Sequence, residues 1–149
     1  LKLLVIGDQN CGKTSIINRY ISGNYDTNVK TTVACEFIMK KVEVGDNTII
    51  LNIWDIAGQD RLGGISKLFL RQATGAIVVT DILDESTLED SLEWKRQIND
   101  KNGTNIPVVL AVNKVDLIND YESTVQELEP FMTSEYLEKF ASDHGFKGC

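Results

Sequence analysis

A single stretch near the start of the chain restricts the possible folds more than any other feature. Residues 7–14 read Gly-Asp-Gln-Asn-Cys-Gly-Lys-Thr, which fits the pattern G-x-x-x-x-G-K-[ST]. The stretch comes after a dense apolar run over residues 1–6, typical of a strand buried on both faces of a parallel sheet. Apolar residues then recur at helical spacing over 15–21, so we expect a helix to begin near Lys13. A glycine-rich turn between a strand and a helix is typical of phosphate binding.

Each residue type in this loop suits a phosphate ligand. The two glycines permit a tight turn whose amides point inward, and the N-terminal dipole of the following helix favours the same anion. Lys13 supplies a point charge to β- and γ-phosphates, and the Thr14 hydroxyl is suited to ligate Mg²⁺. A glycine-rich turn without a ligand is the alternative. We predict that the nucleotide is bound here by Asp8, Gln9, Asn10, Cys11, Gly12, Lys13, Thr14 and Ser15.

A second polar segment, Asp-Ile-Ala-Gly-Gln, occupies residues 55–59 after a β-rich stretch. An aspartate at the end of a buried strand is unfavourable unless it is paired or metal-bound, and holding a water of the Mg²⁺ shell would account for Asp55. Gly58 has no side chain, so its amide can approach a γ-phosphate. Gln59 is placed to orient an attacking water and is the predicted catalytic residue. Taken alone, D-x-x-G also fits an ordinary turn.

A third motif, Asn-Lys-Val-Asp at residues 113–116, comes after the apolar run 108–112. The Asp116 carboxylate can accept two hydrogens from guanine, whereas adenine offers no such pair and would leave a buried Asp116 unpaired. Lys114 can lay its aliphatic stem along the ring, and Asn113 can tie this loop back to the phosphate loop. The motif therefore predicts a guanine site, with a solvated polar turn as the alternative.

Strands and helices alternate along the chain. Further strands are predicted over 33–44, 48–54 and 75–80, with a hairpin turn at 45–47. Helices are predicted over 88–99 and 135–142, and the acidic stretch 117–130 is loop-like. This order predicts one α/β domain over residues 1–149, with a mostly parallel sheet and one antiparallel hairpin strand. Ligands in such sheets bind at the carboxyl ends of the strands, where all three motifs fall.

Composition excludes several classes of function. A net charge of −7 argues against nucleic-acid binding and against electrostatic docking on an anionic membrane. The three cysteines lack C-x-x-C spacing, which indicates neither a disulfide framework nor a zinc site and favours the reducing cytosol. No apolar stretch approaches the length of a membrane span.

Taken together, these motifs resemble the Ras superfamily and, within it, the Rab family. Residues 54–61, Trp-Asp-Ile-Ala-Gly-Gln-Asp-Arg, are similar to the Rab switch II segment W-D-x-A-G-Q-E-R. Ile56, the segment 92–95 and the ending 144–146 resemble the Rab subgroup that serves lysosome-related organelles. The resemblance implies a Ras-like P-loop NTPase fold in three layers. It also implies a GTP/GDP switch with Mg²⁺ that hydrolyses GTP slowly and regulates vesicle trafficking.

The resemblance also implies roles for individual residues. By matching position, Thr32 binds Mg²⁺ and reads the γ-phosphate, and Tyr25 packs against the guanine; a surface loop tyrosine is the alternative for the latter. The expected metal ligands are Thr14, Thr32 and, through a water, Asp55. The resemblance implies that effectors dock on an aromatic triad formed by Phe37, Trp54 and Phe69. Packing in the core is the alternative role for these three residues. A GAP and an exchange factor are the other expected partners.

Several departures from the Rab pattern bear on these expectations. Residues 33–37 read Val-Ala-Cys-Glu-Phe where Rab proteins have I-G-V-D-F, which puts recognition by the usual partners in question. Gln9 and Asn10 stand at loop positions that are often small, and a bulky Gln9 beside the γ-phosphate leads us to hypothesise slow intrinsic hydrolysis. A nucleotide-holding scaffold with negligible turnover is therefore the alternative function, and an ATP-using P-loop kinase is a third.

The C-terminal part of the family pattern is not found in residues 1–149. The S-A-K motif, the last strand, the final helix and the prenylated tail are missing, so we expect an incomplete domain with an apolar sheet face exposed. The resemblance implies a cytoplasmic protein that attaches reversibly to endomembrane vesicles through that lipidated tail alone.

Overall fold

The computed structural model describes residues 1–24, 32, 35–58, 68–103, 106–118, 120 and 128–149. Within these ranges five strands form one sheet in the order β2-β3-β1-β4-β5. The strands are β1 (Lys2–Ile6), β2 (Cys35–Val44), β3 (Asn47–Ile56), β4 (Gly75–Asp81) and β5 (Val108–Asn113). Only the hairpin pair β2–β3 is antiparallel, and every other pair is parallel. The predicted α/β class with one antiparallel hairpin strand is confirmed.

Three helices accompany the sheet in the described ranges: α1 (Lys13–Ser22), α2 (Glu85–Asn102) and α3 (Ser134–Asp143). The Asp84 side chain caps α2 by accepting from the Ser86 N–H, and Thr133 caps α3 by accepting from the Tyr136 N–H. Two short 3₁₀ helices, Val115–Leu117 and Pro130–Met132, adjoin the stretch 117–130 that was predicted as a loop, and each shares one residue with it. Each helix lies within three residues of its predicted bounds.

Two apolar cores lie on opposite faces of the sheet and define three layers. Leu4 and Ile6 of β1 belong to the core that contains side chains of α2 and α3, such as Trp94 and Leu137. Val5, between them, belongs to the core that α1 covers. This alternation follows from the period of two along a strand, and its apolar residues on both faces explain why β1 has no polar side.

The α1 side of the sheet is less completely covered. On this face of the sheet, Val109 of β5 is 38% exposed, whereas Leu110 on the opposite face is 1% exposed. At the outer edge of β5 the Lys147 N–H donates to Val108 O at 2.8 Å and the Leu110 N–H donates to Gly148 O at 3.0 Å. The prediction of an incomplete domain remains a prediction. Among the described residues, no helix combines the length and apolarity that crossing a bilayer requires.

The parallel strands bring distant polar residues to one edge of the sheet. β1 pairs with β3 so that Val5 lies beside Asp55, and β4 pairs with β5 so that Asp81 lies beside Asn113. Because these strands all run the same way, their carboxyl ends share an edge. The three sequence motifs therefore meet there.

Candidate functional site

The glycines of the phosphate loop are required by close approach of other chain segments. Gly7 has a φ of 143°, and a Cβ there would lie 2.1 Å from Val79 O. Gly12 has a φ of 90°, and a Cβ there would lie 2.3 Å from Asn113 Nδ2. Both the left-handed backbone and the space exclude any side chain. Asn10 also has a positive φ of 64°, which asparagine tolerates better than most residues.

Helix α1 begins without the side-chain cap that the other two helices have. Its N-cap residue is Gly12, which supplies no acceptor, and no acidic residue lies in its first turn. The first N–H groups of a helix lack intrahelical partners and carry the positive end of the helix dipole. The start of α1 is therefore electrostatically suited to an external anion such as a phosphate.

Lys13 is a buried cation that points back across the loop. Only 6% of the residue is exposed, and its Nζ donates to Asp8 O at 2.7 Å. Burial lowers the pKa of this ammonium, while nearby Cys11, Asp55 and Asp8 act in the opposite direction. A buried ammonium is unfavourable unless it is neutralised, so the surroundings of Lys13 favour a negatively charged ligand.

Asp55 lies at the centre of a small cluster of oxygen atoms. The Thr14 hydroxyl donates to Asp55 Oδ2 at 2.5 Å, and the Thr32 hydroxyl lies 2.8 Å from Thr14 Oγ1. Asp55 is 1% exposed, and its second oxygen, Oδ1, is buried with no hydrogen-bond partner among the described residues. Burial raises the pKa of this carboxyl, against the lowering effects of the Thr14 hydrogen bond and Lys13.

These residues fit Mg²⁺. Magnesium prefers oxygen ligands, keeps several waters and is bound by few protein groups. Two hydroxyls and one carboxylate converge here, and the buried orphan oxygen of Asp55 lacks the partner that a metal-bound water would supply. Thr32, which only the family resemblance indicated, lies beside Thr14 as that resemblance implies.

Gly58 brings the second motif against the phosphate loop. A Cβ on Gly58 would lie 2.3 Å from the Gln9 amide nitrogen and 2.4 Å from the Asp8 carbonyl carbon, so only glycine fits. Gln9 itself is exposed, as is Asn10. The two segments are thus in contact at the position where the sequence predicted a γ-phosphate contact. The predicted catalytic Gln59 and the predicted base-packing Tyr25 lie outside the described residues.

The third motif is joined directly to the phosphate loop. Asn113 Nδ2 donates to Cys11 O at 2.8 Å, which is the connection that the sequence suggested. Cys11 is fully buried beneath the loop, and burial raises its pKa to about 11. Its side chain is therefore part of the core, and only its main chain faces the site.

The selection of guanine by Asp116 stays a prediction, and the described residues alone do not bury this carboxylate. Asp116 is exposed in the middle of the 3₁₀ helix Val115–Leu117, because that short helix lies on the surface beyond the end of β5. A carboxylate in water has no unpaired-burial cost. Selection against adenine at Asp116 therefore requires that the ligand itself cover the carboxylate.

A cavity of about 810 Å³ connects the start of α1 to this motif. A volume of this size lies in the range of small-molecule and cofactor sites. The cavity is lined by Gly12, Ser15, Ile16, Arg19, Tyr20, Asn113, Lys114, Asp116 and Leu117. Predicted residues of the first and third motifs thus share one cavity, to which α1 adds residues that the sequence did not indicate.

The aromatic triad forms one continuous surface. The Phe37 and Trp54 ring centroids are 5.2 Å apart, and those of Trp54 and Phe69 are 5.7 Å apart. Phe37 is 51% exposed, whereas Trp54 and Phe69 are half-buried and pack against the core. Both roles considered for the triad are therefore compatible. Met39, which is 61% exposed, extends the same face of β2, and the sequence did not single it out.

Two further residues of the site were missed from the sequence. Trp94 of α2 is 1% exposed and donates from Nε1 to Asp8 Oδ1 at 2.8 Å. Asp81, the last residue of β4, accepts from Lys114 Nζ at 2.6 Å. The position of Asp81 directly after an apolar strand is a signal that would have found it. No local pattern marks Trp94.

Comparisons with known proteins agree with this geometry. The Ras family profile matches residues 2–145. The chain is 36% identical to Ras-related protein Rab-32 of Homo sapiens, over 99% of this chain and 64% of that protein. It is 32% identical to Ras-related protein Rab-7L1 of Homo sapiens, over 99% of this chain and 70% of that protein. Ras-related protein Rab-32B of Dictyostelium discoideum is 37% identical, over 99% and 55% respectively.

The fold and the site define a P-loop nucleotide-binding domain. The chain belongs to the Ras family, in its Rab branch. The resemblance to the Rab family and to its lysosome-related-organelle subgroup is thereby confirmed. The chain spans about 64% of the length of the Rab-32 relatives that it matches.

Proposed function

We propose that this chain binds GTP and GDP with Mg²⁺ and acts as a Rab-type switch that hydrolyses GTP slowly. The observation that carries the proposal is the cluster of Thr14, Thr32 and buried Asp55, whose Oδ1 has no partner among the described residues. This cluster lies beside a phosphate loop that Asn113 ties to the base motif. One nucleotide spanning both places would satisfy the cluster and fill the cavity.

The phosphate end has groups for each charge of the nucleotide. Main-chain amides of the loop and the uncapped start of α1 bind the phosphates, and Lys13 adds its positive charge. Thr14 and Thr32, with Asp55 acting through a water, would hold Mg²⁺. When bound, that ion supplies positive charge to the β- and γ-phosphate oxygens.

The base end selects guanine. The Asp116 carboxylate accepts from the ring N–H and the exocyclic amine of the purine, while the Lys114 stem lies along the ring. Both residues line the cavity that also contains the start of α1. Asn113 keeps the two ends at a fixed separation through Cys11 O. By the family resemblance, Tyr25 is the aromatic residue that packs against the guanine.

Hydrolysis transfers the γ-phosphoryl group to water. The water oxygen bonds to the γ-phosphorus, the bond from that phosphorus to the β–γ bridging oxygen breaks, and GDP and inorganic phosphate result. Gln59 orients the water, and Lys13 with the loop amides stabilises the developing charge. Loss of the γ-phosphate frees two segments that it held, residues 25–34 and 58–66. The contact of Gly58 with the loop at Gln9 supports this arrangement.

The expected partners are those of the family. Effectors bind the GTP form on the surface of Phe37, Trp54 and Phe69, which is partly exposed. A GAP accelerates hydrolysis and an exchange factor replaces GDP with GTP. We propose a role in vesicle trafficking, with reversible attachment to endomembranes through a lipidated tail beyond residues 1–149.

The experiment that tests the proposal identifies the nucleotide. Mass spectrometry of the ligand that co-purifies with the chain should find GDP or GTP near one equivalent. EDTA should release it quickly, and excess ATP should not displace it in the presence of Mg²⁺. Material that prefers ATP would favour the P-loop kinase, and material with no purine preference and no magnesium dependence would overturn the proposal.

The alternative is a scaffold that holds nucleotide with negligible turnover. Gln9 favours it, because its main-chain amide nitrogen lies against Gly58 and we expect its exposed, bulky side chain to crowd Gln59 beside the γ-phosphate. Gln59 itself argues against it. Single-turnover phosphate release, with and without a family GAP, separates the two functions. A faster Gln9→Gly variant supports crowding by Gln9, whereas equal rates in parent and variant remove that hypothesis.

A further inference from the structure

An ion pair between two neighbouring strand ends borders the base end of the cavity. Lys114 Nζ lies 2.6 Å from Asp81 Oδ2, and the side chains are 31% and 16% exposed respectively. Asp81 ends β4, and Lys114 comes directly after the last residue of β5. Lys114 lines the cavity that contains Asp116, whereas Asp81 is not among its lining residues. Among the described contacts, the Asp81 carboxylate is thus linked to a cavity-lining side chain at Lys114.

The Asp81 carboxylate is held in place independently of Lys114. Its other oxygen, Oδ1, accepts from the Leu83 N–H at 3.0 Å, and its main-chain N–H donates to Thr87 Oγ1 at 2.9 Å. The Ile82 N–H donates to Asn113 O at 3.0 Å, which joins this turn to the base motif. Asp81 is thus held rigidly enough to fix the position of the Lys114 ammonium.

The Lys114 side chain depends on a partner to keep one conformation. Its backbone has a φ of 63°, a left-handed conformation that is uncommon for a residue other than glycine. It also caps the 3₁₀ helix that carries Asp116, and the Leu117 N–H donates to Lys114 O at 3.0 Å. A lysine side chain has a flexible four-carbon stem, so it samples many rotamers when its ammonium has no partner.

We propose that Asp81 is a positioning residue for the base end of the nucleotide site. By holding the Lys114 ammonium to one side, Asp81 keeps the aliphatic stem along the cavity wall against which the purine ring lies. The inference rests on the proposed function, since it assumes that a guanine nucleotide occupies the cavity. Asp81 acts at the base end, so its removal speeds the dissociation of GDP and GTP by the same factor. The effect is independent of Mg²⁺.

The experiment measures the dissociation rates of a fluorescent GDP and a fluorescent GTP analogue, in Mg²⁺ and in EDTA. Asp81→Asn keeps an oxygen for the Leu83 N–H but removes the charge that faces Lys114. We expect dissociation about 5-fold faster, in line with a partly buried ion pair. The ratio of the rates in EDTA and Mg²⁺ should stay that of the parent. Asp100→Asn is the matched control, because it removes a similar 2.7 Å ion pair with Arg96 on the exposed side of α2.

A double-mutant cycle tests whether Asp81 acts through Lys114. Lys114→Met keeps most of the stem and removes the ammonium, so adding Asp81→Asn to it should change the rate less than two-fold. If Asp81→Asn has its full effect in the Lys114→Met background, Asp81 acts through the turn rather than through Lys114, and the inference is overturned. An altered EDTA to Mg²⁺ ratio would also overturn it, since it would indicate an effect at the phosphate end.

The outcomes separate this inference from the proposed function. A parent that holds no guanine nucleotide overturns both. A parent that holds GDP, with an Asp81→Asn variant whose rate equals that of the parent, overturns this inference alone. Should Asp81→Asn fail to fold, variants of Lys114 test the same ion pair. Lys114→Arg retains a partner for Asp81 and should release GDP more slowly than Lys114→Met, and equal rates in the two contradict the inference.

Discussion

The two ends of the proposed nucleotide site differ in whether their charged side chains are buried or exposed to solvent. At the phosphate end, Lys13 is 6% exposed, Asp55 is 1% exposed, and one oxygen of Asp55 has no partner among the described residues. At the base end, Asp116 is exposed and Lys114 is already paired with Asp81. Buried charges are unfavourable until they find partners, whereas solvated ones are not. If the proposed function holds, we expect the phosphate end to provide affinity and the base end to become selective only when a purine covers it.

The largest effect should come from the buried cation. Lys13→Met removes the point charge that faces the phosphates, and we expect GDP and GTP affinity to fall by about 1,000-fold, as for the loss of a buried charge partner. Titration of a fluorescent guanine nucleotide measures it. Lys139→Met, at an exposed position of α3, is the matched control. A loss of less than ten-fold in Lys13→Met would remove the contrast between the two ends.

The next largest effect should change both the affinity for GDP and the selectivity between purines. Asp116→Asn replaces one of two acceptors with a donor, so we expect GDP to bind about 100-fold more weakly, as for hydrogen bonds to a charged group. Xanthosine diphosphate, whose extra carbonyl accepts the new N–H, should gain relative to GDP. Competition between the two diphosphates on parent and variant measures the change. An unchanged preference would show that the exposed Asp116 does not contact the base.

A smaller effect on nucleotide dissociation should come from Trp94, which contacts the phosphate loop but does not line the cavity. Trp94→Phe removes the N–H that donates to Asp8 Oδ1 at 2.8 Å and keeps an aromatic ring in the core. The loss of one hydrogen bond to a carboxylate predicts about 5-fold faster dissociation of nucleotide. In a double-mutant cycle with Asp8→Ala, the second substitution should add little, because both remove the same bond. Fully additive effects would show that Trp94 acts by packing alone.

The sequence predicted the phosphate end better than the base end, and the reason is the range of the contacts. Gly7, Gly12, Lys13 and Thr14 lie within one continuous stretch of sequence, and the strand before it and the helix at its end can be predicted from local apolar spacing. Trp94 and Asp8 are 86 positions apart in the chain, and Lys114 and Asp81 are 33 apart. Only the order of the strands and the packing of α2 against the sheet bring such pairs together, and no local spacing carries that information.

The exposure of Asp116 could not be predicted from the sequence for a related reason. The sequence shows an apolar run ending at residue 112, and nothing in it indicates whether the residues that follow are covered. In the structure, β5 ends at Asn113 and the chain turns through the left-handed Lys114 into a short surface helix. Burial of a polar residue depends on the groups that pack over it, which neither its type nor its neighbours in sequence determine.

The smallest expected signal tests whether the phosphate end keeps its shape without a ligand. Cys11 is fully buried under the loop, and burial raises its pKa to about 11. A raised pKa keeps the buried thiol protonated, so at pH 8 about one molecule in a thousand carries the reactive thiolate while Cys11 stays buried.

Iodoacetamide labelling mapped by mass spectrometry should therefore modify the exposed Cys149 and leave Cys11 unmodified, both with GDP and Mg²⁺ and after their removal with EDTA. The Asn113 hydrogen bond to Cys11 O is made within the protein, and it should hold the loop over the thiol in either state. Labelling of Cys11 that appears once the nucleotide is gone would mean that the ligand shapes the phosphate end. The two ends would then differ in charge but not in preorganisation, and the affinity of the loop would have to include the cost of ordering it.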